Sequence, residues 1–83
     1  MANKVIGRHL RRLRQRAGIS QHELALRCRF TQSHISKLEQ GERSLFFSEV
    51  FLYAEALGIS ADELLNGIRH AMFDHLRNQR DCW

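Results

Sequence analysis

Eighty-three residues, 43% hydrophobic, 27% charged and without proline, bound the chain to one small globular domain. No stretch has the composition of a disordered segment, and no apolar run approaches the roughly 18 residues of a membrane span. The formal charge of +4 divides unevenly: residues 1–45 hold ten Lys/Arg and three acids, residues 46–83 three Arg and six acids. A positive half of this kind points to a polyanionic partner.

The first helix is predicted from about Lys4 to Ala17, with Ile6, Leu10, Leu13 and Ala17 along one face. "GISQHEL", residues 18–24, closes it and opens the next: Gly18 takes the left-handed conformation, Ile19 packs back, and Ser20 caps with Glu23 completing a capping box. The same arrangement returns in "GISADEL" at 58–64. The second helix, Gln21 to about Cys28, buries Leu24, Ala25 and Cys28. After a very short turn around Arg29-Phe30, a third helix starts at the Thr31 cap and stops at Gly41. Ile35 and Leu38 face inward from it; Gln32, Ser33, Ser36 and Lys37 face outward. The fourth helix, about Ser48 to Leu57, is expected to bury Val50, Phe51, Ala54 and Leu57. A fifth, Ala61 to about Asn66, contributes Leu64 and Leu65. A sixth segment, about Ile68 to Gln79, sets Ile68, Met72 and Leu76 on one side with Phe73 beside them. No β-branched alternation appears, so the fold class is all-α.

Two short helices joined so tightly cross steeply, which pushes the second outward. An outward helix with short polar side chains fits the major groove of DNA. Here "GISQHELALRCRFTQSHISKLEQGER" resembles the helix-turn-helix core of the lambda-repressor-like (XRE) transcriptional regulators. That family reads, loosely, S-Q-x-x-L-A, a turn, then S/T-x-x-x-I-S-x-I/L-E-x-G. Ser20, Gln21, Leu24, Ala25, Thr31, Ile35, Ser36, Leu38, Glu39 and Gly41 stand in that register. "LRRLRQRAGIS" upstream and "YAEALGISADELLNG" downstream extend the likeness over about Ile6 to Gly67. Arg29 stands at the turn position where the family usually has glycine.

The resemblance implies a five-helix lambda-repressor-like domain over residues 1–67, its helix-turn-helix at about 21–40, followed by a helical tail over 68–83. It also implies a sequence-specific regulator of transcription, a repressor or autoregulating controller, binding an inverted-repeat operator in double-stranded DNA as a homodimer. Gln32, Ser33 and Lys37 are the candidate base readers. Gln21, His34, Ser36, Arg43, Arg29 and Arg11 are candidates for phosphate contacts. Arg14 and Glu39 match a pair that orients the recognition helix. Leu52, Phe73, Leu76 and Trp83 are candidates for a dimer or partner interface. An antitoxin whose apolar tail binds a toxin is the alternative reading. Cys28 and Cys82 form no CxxC or Cys/His set, and His9, His22, His34, His70 and His75 no helical ligand pair, so neither metal nor cofactor is expected. No grouping of nucleophile, acid and base points to an enzyme. A cytoplasmic protein that does not engage a membrane is expected.

Overall fold

The computed structural model describes residues 2–80 of the chain, which form α1 (Ala2–Arg16), α2 (Gln21–Cys28), α3 (Gln32–Gln40), α4 (Phe47–Leu57) and α5 (Ala61–Arg80). Trp83, expected at an interface, lies outside the described residues. Among these residues no strand occurs and no helix is long and apolar enough to cross a membrane.

The helix starts follow their caps. Ser20 Oγ and Ser60 Oγ accept the backbone N–H of Glu23 and Glu63, each at 3.0 Å. The capping box expected at Ser20 is only half made, because the Glu23 carboxylate accepts Arg27 Nε at 3.1 Å instead. At α4 the N-cap is Phe46, which has no side-chain acceptor; there Glu49 Oε1 makes the return half by accepting Phe46 N–H at 2.9 Å.

The turn between α2 and α3 holds the one described non-glycine residue with positive φ. Arg29 lies at φ 63° and ψ 34°, the left-handed region. Phe30 N–H reaches back to Ala25 O at 2.9 Å and its ring packs on the core. That is a Schellman closure with arginine where glycine is usual. The conformation costs roughly 1 kcal/mol, which the packing of Phe30 offsets.

Leu10, Leu24, Ile35, Leu38, Tyr53 and Leu64, drawn from all five helices, are the large side chains at the centre of the core. α1 packs against both α3 and α5. It approaches α3 closely because residue 7 is glycine: a Cβ there would press into the carbonyls of Leu38 and Glu39, the latter at 2.6 Å.

Three expectations are corrected. Phe51 is 52% exposed, and Tyr53 is wholly buried in its place. Val50, Tyr53, Ala54 and Leu57 form the inward row of α4, and Phe51 lies about 100° around the helix from Val50. Leu65, expected in the core, is exposed on α5 next to the buried Leu64. The fifth and sixth segments are one helix, which runs through Gly67 without a break. The glycine there serves a close approach, since a Cβ would meet the ring of His9 on α1.

Candidate nucleic-acid interface

α3 is short, and both its ends are held locally. Thr31 Oγ1 accepts His34 N–H at 3.1 Å at the start; Gly41, at φ 78°, ends it with its N–H directed at Leu38 O and Lys37 O. Ile35 and Leu38 are buried in the core, together with Glu39. The other side exposes Gln32, Ser33, Lys37 and Gln40, with Ser36 half-exposed between them. Gln40 is a residue the sequence reading passed over. It falls one turn beyond Ser36 and donates from Nε2 to the Ser36 hydroxyl at 3.0 Å. Its place, seven residues after Ser33 on one helix face, was the available signal.

The orientation of α3 rests on a buried ion pair. Arg14 donates from Nε to Glu39 Oε2 at 2.7 Å and from Nη2 to Oε1 at 3.1 Å, a bidentate geometry. Arg14 Nη1 also donates to Ile19 O at 2.9 Å, and Gln21 Nε2 to Glu39 Oε1 at 3.0 Å. The side chains are 12% and 2% exposed, so both charges are satisfied by these partners. Arg14 from α1 and Gln21 at the start of α2 thus meet at one carboxylate in the last turn of α3, and Arg14 also ties in the turn after α1.

Gln21 therefore has its amide nitrogen committed inward, which leaves its side-chain oxygen and its backbone N–H at the start of α2 for a phosphate. Arg29 projects from the exposed turn between α2 and α3. Arg11 lines an open groove of about 630 Å³ between α1 and the second half of α5, beside Arg8 and Arg12.

Two of the expected phosphate contacts, His34 and Arg43, meet a carboxylate of α4. His34 stacks on Phe30, ring centroids 4.2 Å apart and planes 10° from parallel. Its Nε2 stands 2.8 Å from Glu49 Oε2, at ion-pair distance though out of line for a hydrogen bond. Arg43 donates from Nη2 to the same oxygen at 3.4 Å, and its guanidinium lies over the Phe46 ring at 5.2 Å. The buried Glu49 carboxylate holds His34 largely inward, while the Arg43 side chain stays 37% exposed beside it; the helical pattern of α3 contains no sign of this carboxylate.

Large apolar side chains are also exposed on α4 and α5. On α4, Phe47, Phe51 and Leu52 are exposed, the two rings packed edge to face at 5.4 Å. On α5, Leu65, Phe73 and Leu76 are exposed. Burial raises the pKa of the Cys28 thiol to about 11, with the Glu49 charge adding to it, so this cysteine is an inert core residue.

Residues 5–66 match the helix-turn-helix domain family. The chain is 37% identical over 62 residues to an uncharacterised HTH-type transcriptional regulator, y4dJ, of Sinorhizobium fredii, covering 75% of this chain and 80% of that protein. The chain belongs to the helix-turn-helix transcriptional regulators.

Within that family the regulator also resembles solved structures. The restriction-modification controller protein C.AhdI from Aeromonas hydrophila is 32% identical, with a TM-score of 0.71 over 75% of this chain and 94% of its own. The clp gene regulator ClgR from Corynebacterium glutamicum shares the fold alone, at 23% identity and a TM-score of 0.86, over 99% of this chain and 87% of its own. The likeness to ClgR spans nearly all of the regulator, so the run of α5 beyond Gly67 lies within it.

Proposed function

We propose that the regulator binds an inverted-repeat operator in double-stranded DNA as a homodimer, and acts as a repressor or as a controller of its own operon in the cytoplasm. The observation that carries this is α3 itself. Its inward side is anchored by Ile35, Leu38 and the Arg14–Glu39 pair, while its outward side presents only Gln32, Ser33, Ser36, Lys37 and Gln40. Such a face can lie against base edges with no bulky side chain holding it off. Gln32 is the leading reader, since its amide pairs bidentately with adenine; Ser33 and Lys37 lie beside it and one turn on. Gln21, Ser36, Arg29 and Arg11 take phosphates, supported by the excess of positive charge in residues 1–45.

The exposed apolar residues of α4 and α5, Leu52, Phe73 and Leu76 with Phe47 and Phe51, form the face for a second copy. Two-fold pairing there would set two reading helices about 34 Å apart, one turn of DNA. C.AhdI is a restriction-modification controller protein, and its likeness to the regulator supports a controller role.

Selection of bound duplexes from genomic fragments tests the reading. Wild-type protein is expected to enrich an inverted repeat, with affinity that falls steeply with salt. Gln32→Ala is expected to weaken specific binding by roughly 1–3 kcal/mol with the fold retained. Light scattering should give twice the 9.8 kDa chain mass. A monomer would reassign the apolar face to a second protein, as in the antitoxin reading; a selection without sequence preference would end the regulator reading.

A further inference from the structure

We propose that Glu49 on α4 is a positioning residue for DNA reading, holding the first turn of α3 through His34 and the α3–α4 loop through Arg43. The proposal rests on α3 being the base-reading helix.

Glu49 has an 8% exposed side chain, yet its carboxylate meets groups from three places. Oε1 accepts Phe46 N–H at 2.9 Å. Oε2 stands 2.8 Å from His34 Nε2 and 3.4 Å from Arg43 Nη2. A carboxylate so far from water loses its polar partners only at a cost, so the cluster resists rearrangement. The charge reaches into the core, where it adds to burial in raising the pKa of the Cys28 thiol.

His34 is fixed from two directions. Phe30 stacks on its ring, and Phe30 in turn lies against Tyr53, with centroids 6.2 Å apart. Glu49 then faces its Nε2. His34 follows Gln32 and Ser33 in the same turn, so the direction of its ring sets how far those two residues are rotated outward. Arg43 lies just beyond Gly41, at the other end of α3. One carboxylate on α4 therefore touches the approaches to both ends of the reading helix. The Arg14–Glu39 pair tethers α3 to α1; Glu49 tethers it to α4, the helix whose opposite side exposes Phe47 and Phe51. A shift of α4 on pairing with a second copy would reach Gln32 and Ser33 through this carboxylate.

Glu49→Gln tests this, because glutamine keeps the size and an oxygen for Phe46 N–H but loses the charge. Binding of the full chain to its selected operator and to a scrambled duplex is measured at one salt concentration, alongside the thermal midpoint. The expected result is a fall of about tenfold in the ratio of specific to non-specific affinity, with non-specific affinity and its salt slope unchanged. In the free protein, amide exchange at His34 and Ile35 should quicken while that of Leu64 does not. His34→Gln, a second approach to the same contact, should lower the ratio in wild type and much less in the Glu49→Gln background. An unchanged ratio in both variants overturns the proposal. So does a loss of specific and non-specific binding in parallel with the melting temperature, which would make Glu49 a stability residue only. Wild-type protein without sequence preference would remove the regulator reading itself, and the proposal with it.

Discussion

Arg14 on α1 and Glu39 on α3, 25 residues apart, are joined by two hydrogen bonds of 2.7 and 3.1 Å, and the shared carboxylate also receives Gln21 from α2. A buried pair of this geometry contributes less through net attraction than through the penalty for breaking it. It makes one arrangement of α1, α2 and α3 much better than its neighbours.

Glu39→Ala should therefore be far more damaging than its position at the end of an exposed helix implies. It leaves the Arg14 guanidinium buried without its carboxylate, at a cost of about 3–5 kcal/mol. Chemical denaturation of wild type, Glu39→Ala, Arg14→Met and the double variant measures this. The double variant should recover part of the loss, and additive losses would show that the pair is not coupled.

Arg29→Gly separates backbone strain from charge. Relief of the left-handed conformation should raise stability by up to about 1 kcal/mol, and loss of a phosphate contact should flatten the salt dependence of DNA binding by roughly one unit of slope. Denaturation and a salt titration on one duplex read the two effects apart. A variant that is more stable and keeps the wild-type slope would remove Arg29 from the phosphate contacts.

Tyr53→Phe should stabilise the fold. The Tyr53 ring is wholly buried and its hydroxyl has no hydrogen-bond partner among the described residues. Burying an unpaired hydroxyl costs on the order of 1–3 kcal/mol, so its removal should raise the thermal midpoint by a few degrees. A lower midpoint would show that the hydroxyl is bonded in solution.

Stability should fall as the solution becomes acidic, in part through His9. Its pKa is lowered from 6.5, by burial against α5 first and then by the Arg12 and Arg16 charges. The unfolded chain therefore takes up the proton more readily than the folded one. The contribution is fully present above pH 6.5 and is lost as the pH falls from there toward the lowered folded value. His9→Gln should show a shallower dependence of thermal midpoint on pH across that window; an identical slope would exclude His9 as a source.

What could be read in the chain alone was local. Ser20, Thr31 and Ser60 cap helices, and Gly18, Gly41 and Gly58 end them, through hydrogen bonds spanning a few residues. Their signatures are therefore written in consecutive letters, whereas Arg29 could be placed at the left-handed turn only through the resemblance to a family that usually has glycine there. The inward and outward sides of α3 were legible for the same reason: Ile35 and Leu38 set its phase.

Tertiary structure decided what depends on partners distant in sequence. The pattern of α4 put Phe51 in the core and passed over Tyr53, and only the approach of α2 and α5 determined which one is buried. Gly67 resembled a helix break until α1 brought His9 against it. His34 and Arg43 resembled phosphate ligands because both are polar and flank the reading face. Both lie against the Glu49 carboxylate of α4, which no periodicity within α3 encodes. Helix ends are set by short-range hydrogen bonds, whereas the direction of a charged side chain is set by whichever opposite charge the fold brings within a few ångströms.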